Sequence, residues 1–360
     1  MGRWFGRIQR VVRRLSVWQS GAVVPVDDDC LLVFYDLGHW PITYDPVFVV
    51  LSADLIRREK GLKGLYFVFV PSQDWEAGSE GKDYYHVIDG EARRQRVHDI
   101  VVPLVWLLPT TRGYMIASSR KEASKLAVLA AERRFPADYL PETPGLEGAQ
   151  PFAKLIFERA EAGLEIPSFT APPAAKVWIR RWQDGHCDGR PYVTITLRYF
   201  GFTPERNSNL EAWAAFAREL EQRGYCAVIV PDTHMTLDRL PPCLEGLRVF
   251  AEAAWHLHLR MALYESAYLN LGVNTGPMTL CWLSKRCRFI VYKQVLEGKT
   301  VSSLETQLKQ GIDPRKPSPI ATAYQRLVLE PDDLDVIRRE FDAMEALIEA
   351  DAAKQAATQG

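Results

Sequence analysis

The chain has 360 residues, 47% hydrophobic and 25% charged, with a formal net charge of -1. That length calls for two domains rather than one, the composition is that of an ordinary globular protein, and the near-neutral charge excludes a chain-wide polyanion or nucleic-acid binder. Ten tryptophans lift the aromatic content to 11%, which suits sugar stacking or dense packing, packing being the commoner use. The cysteines (Cys30, Cys187, Cys226, Cys243, Cys281, Cys287) contain no CxxC pair. This fits reduced thiols in a cytoplasmic protein rather than a disulfide framework. His186 beside Cys187 in DGHCDG has no second ligand cluster, so no metal is expected.

Residues 1–22 form a basic amphipathic segment. Arg3, Arg7, Arg10, Arg13 and Arg14 alternate with Trp4, Ile8, Val11, Leu15 and Trp18, spaced as one stripe of a helix. The arginines interrupt every apolar run, so this is no secretory signal. Two uses fit equally: contact with an anionic membrane surface, or packing on the body with the arginines in water. No apolar run is long enough to span a bilayer.

An apolar run, CLLVFYD (30–36), then predicts a buried parallel strand. A loop, a helix from about Val47 to Lys60, and a second strand, LYFVFVP (65–71), complete a β-loop-α-β unit. The apolar segments continue through HDIVVPLVWLL and YMIASS, followed by a helical run from Arg120 to Arg134 and an island at 152–162. Asp36, His39 and Asp45 follow the first strand, and a carboxylate or imidazole is the usual base for taking a proton from an acceptor hydroxyl. Asp45 also precedes Pro46, the arrangement of a plain helix N-cap with proline at the first position, and that reading slightly outweighs a catalytic one.

The segment IPSFTAPPAA is the best linker candidate. A second α/β series follows: strand TITLRY (194–199), a capping box of Ser208 and Glu211, a helix with Leu210, Trp213, Ala217 and Leu220 on one face, and strand YCAVIVPD (225–232). A long helical region from Leu244 to Tyr268 leads to strand YLNLGV, helix TLCWLS and strand RFIVYK. The closing helix starts near Asp332, with Leu334, Ile337, Phe341, Met344 and Ile348 in register. Strands alternating with helices predict α/β architecture with two parallel sheets. The expected divisions are 1–22, an N-terminal lobe at 23–165, a linker at 166–176, a second lobe at 177–330, and a C-terminal helix at 331–360.

The turn Asn274-Thr275-Gly276-Pro277-Met278 joins a strand to a helix whose first position suits Pro277. A helix start at the carboxyl edge of a parallel sheet is suited to a phosphate group, although an ordinary βα turn has the same spacing. Arg198 closes the first strand of the second lobe and Arg206 precedes the capping box. Two guanidiniums there form a candidate diphosphate clamp, with Lys293 at the end of RFIVYK as a third cation.

NTGPMTLCWLS resembles the donor-site turn of bacterial heptosyltransferases and related transferases of the two-Rossmann, GT-B-type glycosyltransferase fold. In these a strand leads into a Thr-Gly-Pro turn and a helix facing the donor's diphosphate. The pattern departs at Thr279, where a histidine is usual, which leaves the sugar open. TITLRYFGFTPERNSNLEAW is similar to a stretch in bacterial proteins of this fold that carries no function over. The resemblance implies two Rossmann-like lobes facing a central cleft, a nucleotide-sugar donor as substrate, a glycan acceptor, and no cofactor or metal. By the same resemblance Asp45 is nearest to the Asp these enzymes carry at the start of the helix after the first strand. The other readings are a sugar-nucleotide epimerase of similar shape and a non-catalytic relative that binds membrane or protein through its N-terminus.

Overall fold

The computed structural model describes residues 27–73, 87–143, 150–296 and 302–359. The basic segment expected at 1–22 lies outside them. The chain divides into two compact units, Met1–Ile156 and Phe157–Gly360.

The first unit carries a four-stranded sheet in the order β3-β2-β1-β4. Its strands are β1 (Cys30–Asp36), β2 (Gly64–Val70), β3 (Thr111–Ile116) and β4 (Arg134–Phe135), all parallel. Every residue of β1 is buried, which is why this strand reads as a continuous apolar run. Helix α1 (Pro46–Glu59) starts on Pro46, whose absent N–H had no partner to lose. It stops where Gly61 turns to φ +67 and Leu62 N donates back to Arg57 O. The stretch HDIVVPLVWLL is helical over Val97–Val105; Pro103 within it would break a strand ladder. Helix α2 (Arg120–Leu129) follows β3.

Helix α3 (Gln150–Glu161) contains the division between the units. The segment expected as a linker, 166–176, is tied into the second unit. Phe169 N donates to Leu283 O at 3.0 Å, Ala171 N to Glu265 Oε1 at 2.9 Å, and Lys176 pairs with Glu265 at 2.6 Å. Its prolines open a helix, α4 (Pro173–His186).

The second sheet has six parallel strands in the order β10-β9-β8-β5-β6-β7. These are β5 (Tyr192–Thr196), β6 (Cys226–Val230), β7 (Arg248–Val249), β8 (Leu269–Val273), β9 (Phe289–Tyr292) and β10 (Gln325–Leu327). Helix α5 (Leu210–Gln222) buries Trp213, Phe216, Ala217 and Leu220 against the sheet. The helical region expected over 244–268 is interrupted: β7 joins the sheet edge, and His256 in extended conformation separates a short turn from α6 (Leu257–Ser266). His256 Nδ1 accepts from Leu259 N and so caps α6. After β8 comes α7 (Met278–Trp282), and the chain closes with α8 (Leu334–Gln359). Ile337, Phe341, Met344 and Ile348 of α8 enter the second unit's core, where Phe341 packs edge-on to Phe216 at 5.3 Å. Among the described residues no helix is long and apolar enough to cross a membrane.

Candidate functional site

In the second sheet the chain runs from β5 to β6 on one side and returns to β8 on the other. Loops leaving the carboxyl ends of β5 and β8 therefore diverge, which is where α/β sheets open a ligand crevice. The loops at that point are 197–209 and 274–277, the two stretches singled out by sequence. The strands beneath them are close: a Cβ on Gly272 of β8 would lie 2.9 Å from Thr196 O of β5, so only glycine fits.

Arg198 does not reach outward. It is 4% exposed, and its guanidinium turns into its own loop, donating to the carbonyls of Phe202 and Thr203 and to Asn207 Oδ1. Asn207 in turn accepts from Phe200 N and donates to Phe200 O, both at 3.1 Å. These bonds hold Thr203 at φ +54, a left-handed conformation that β-branched residues rarely adopt. The expected phosphate clamp at Arg198 is thus corrected to a loop staple, because the loop's carbonyls occupy its donors. The expected capping box is also different. Ser208 Oγ accepts from Arg198 N at 2.9 Å, closing the loop, and Asn209 caps α5 one residue later by accepting from Ala212 N.

Arg206 is half-buried and does reach the second motif: its Nη2 donates to Asn274 O at 2.8 Å. The turn beyond has helical Pro277 preceding Met278, the first residue of α7. Met278 N and Thr279 N are used by Thr275 O and Gly276 O. The N–H groups of Thr275 and Gly276 donate to no atom among the described residues. Asn274 Nδ2 is fastened to Gln294 O at 3.2 Å.

Lys293, the third expected cation, is likewise engaged. Its Nζ lies 2.7 Å from Asp332 Oδ1 and donates to Asn207 O at 2.7 Å. Asp332 is buried and also accepts from Asn209 N at 2.8 Å and Trp213 Nε1 at 2.7 Å. Lys293 and Asp332 therefore pin the β5 loop to the start of α5. Lys293 does so from φ +52, which ordinary side chains avoid. Asp332 was invisible as a site residue, since nothing local links it to a loop this distant in sequence.

In the first unit the equivalent switch point lies between β1 and β4. Asp36, fully buried at the end of β1, accepts from Arg120 Nη1 and Nη2 at 2.8 Å each, from Tyr139 Oη at 2.6 Å and from Gly38 N at 3.0 Å. Its hydrogen bonds raise the Arg120 pKa, and burial, with Asp36 beside it, raises that of Tyr139. A carboxylate so engaged has no lone pair left for an acceptor proton, which corrects the expectation for Asp36. Arg120 and Tyr139 were missed, being ordinary residues in the sequence.

The loop after β1 is anchored by buried Trp40, packed on Tyr35 at 5.1 Å and Phe152 at 5.6 Å, and by Tyr35 Oη donating to Pro41 O. It carries His39, partly exposed, whose ring has no hydrogen-bond partner among the described residues. It ends at Asp45, the N-cap position of α1, but the Asp45 side chain makes no capping bond. Instead Oδ2 accepts from Thr43 Oγ1 at 2.8 Å. Asp45 thus holds the N-cap position with Pro46 at the start of the helix, as the capping alternative had it, but without a side-chain capping bond. His186 stacks on Trp182 at 5.2 Å, with Nδ1 2.7 Å from Trp182 O.

No family model matches the chain, and no curated protein matches it in sequence. Solved structures do match it. That of E. coli ADP-heptose lps heptosyltransferase II matches with a TM-score of 0.53 at 11% identity, over 88% of this chain and 99% of that one. A glycosyl transferase family 9 protein from Veillonella parvula matches at 0.47 and 13% identity, covering 89% and 91%. E. coli heptosyltransferase WaaC with ADP-2-deoxy-2-fluoro heptose matches at 0.37 and 11%, covering 87% and 99%. The first of these shows the fold: α/β, with two parallel sheets, of the GT-B type.

Proposed function

We propose that the chain is a glycosyltransferase that moves a sugar from a nucleotide-sugar donor to a glycan or other surface acceptor without a metal ion. The observation that carries this is the meeting of Arg206 with the 274–277 turn at the carboxyl edge of the second sheet, where the Thr275 and Gly276 N–H groups are taken by no atom among the described residues. The solved structures of this fold add support, since their names place them among heptosyltransferases. In glycosyl transfer the bond from the anomeric carbon to the diphosphate breaks as the bond to the acceptor oxygen forms. Negative charge grows on the departing diphosphate, and fixed N–H donors with a guanidinium stabilise it there. Arg198 and Lys293 serve by shaping the loop that presents Arg206. Asp45, held by Thr43, is the base for the acceptor's proton, with His39 as the second candidate. In this reading the protein works in the cytoplasm and the basic segment 1–22 touches an anionic membrane surface.

A thermal-shift screen with UDP, GDP, ADP, CMP and their sugars tests the proposal. A ligand at 100 times its dissociation constant stabilises by about 2.7 kcal/mol, well within detection. Stabilisation by one nucleoside diphosphate, with its release from the sugar only when acceptor is added, is the expected result. Release without acceptor would indicate an epimerase. Failure of every nucleotide to shift the melting temperature would leave a non-catalytic relative.

A further inference from the structure

Cys187 and Cys226 lie with their sulfurs 2.7 Å apart, both fully buried, and the site above uses neither. That separation is well inside the roughly 3.5–4.0 Å at which non-bonded heavy atoms settle. Both positions are fixed by the backbone. Cys187 caps the C-terminus of α4, its N donating to Gln183 O and its O accepting from Arg190 N; Cys226 opens β6, its N donating to Pro191 O, each at 2.9 Å. Arg248 Nη1 stands 3.2 Å from Cys226 Sγ, and Arg248 and Arg190 share Glu221.

The two sulfurs, both buried, sit in unlike surroundings. Cys187 is the one buried residue in the otherwise exposed run 184–189, and Asp188 and Gly189 after it both have positive φ. Cys226 sits within the sheet. Local opening of that turn would expose Cys187 and leave Cys226 in place beside Arg248. While the turn is closed, burial pushes the Cys187 thiol up to about 12 and keeps it protonated.

We propose that Cys187 and Cys226 are a disulfide-forming pair, oxidised by exchange with a small disulfide. In the open turn the Cys187 thiolate attacks one sulfur of the small disulfide, forming a mixed disulfide and releasing one thiol. When the turn closes, the Cys226 sulfur, 3.2 Å from Arg248 Nη1, loses its proton as it attacks Cys187 Sγ and displaces the second thiol. The chain loses two protons and two electrons, and the small disulfide gains them as two thiols. The bond ties the end of α4 to the first residue of β6.

The test treats the full chain with oxidised glutathione and reads intact mass, a non-reducing peptide map and melting temperature. The expected product has lost two hydrogens, retains no glutathione, joins the Cys187 and Cys226 peptides, and melts roughly 3 °C or more higher, all reversed by dithiothreitol. Cys226→Ser should trap glutathione on Cys187, whereas Cys187→Ser should take up none at Cys226. A chain that stays unmodified, one that keeps glutathione without forming the link, or one that links Cys281 to Cys287 overturns the pair. The reverse trapping pattern overturns the order of attack. The peptide map of the unsubstituted chain decides the pairing even should a serine variant fold poorly.

Discussion

Arg206 donates through Nη2 to the carbonyl of Asn274, a contact across 68 residues that joins the loop after β5 to the turn after β8. If that junction holds the donor's diphosphate, Arg206→Ala should weaken nucleoside diphosphate binding without unfolding the protein. A hydrogen bond from a charged group is worth roughly 1.5–3 kcal/mol, or about ten- to a hundredfold in affinity, measurable by calorimetry. Arg198→Ala is the comparison. It strands the Phe202 and Thr203 carbonyls, so it should lower stability by about 2 kcal/mol and affinity together. Arg198→Lys should follow it, because a point charge cannot bond three acceptors at the angles of a fork.

Asp45→Asn should leave donor binding and melting temperature near those of the parent while lowering turnover by roughly a hundredfold or more. Since Asp45 makes no capping bond, little helix stability is at stake. Steady-state kinetics alongside donor titration separate the outcomes. Unchanged turnover moves the role to His39.

Arg120→Ala should be among the most destabilising substitutions in the first unit. It leaves Asp36 buried with its counter-charge gone, a loss of about 3–5 kcal/mol read by denaturant unfolding. Tyr139→Phe removes one bond of four and should cost less.

Acid should loosen α8. Glu219 of α5 is held below the usual carboxylate range by its hydrogen bonds to Arg338 of α8. A depressed folded-state pKa adds stability that is complete above the ordinary glutamate value and disappears as pH falls through the folded one. Melting temperature should therefore decline below about pH 4.3, and Glu219→Gln should flatten that decline. An identical pH slope in the variant would remove Glu219 as a contributor.

Much of the fold was legible, for a physical reason. β1, β2, β5, β6, β8 and β9 lie inside their sheets or carry long apolar runs, so both faces are buried and the pattern is continuous. β4, β7 and β10 have two or three residues and leave no such run. The prolines at 172 and 173 read as a linker yet begin α4, where proline is as acceptable as in a loop. At the candidate site the neighbourhood was legible and the roles were not. A parallel sheet brings the ends of its strands together, so Arg206 and Asn274 were expected to be neighbours. Whether an arginine points out or back depends on partners such as Asn207, while Lys293 depends on Asp332, which no spacing rule connects.

The plugging of the first sheet's switch point has a consequence for what can enter there. A ligand entering between β1 and β4 would have to displace Arg120 or Tyr139 from Asp36, stranding a carboxylate where water does not reach. That crevice is thus a closed door. Two sheets of like topology are unequal tenants: the first has furnished its crevice with its own side chains, and the loop at 37–45 stands beyond it, anchored by Trp40.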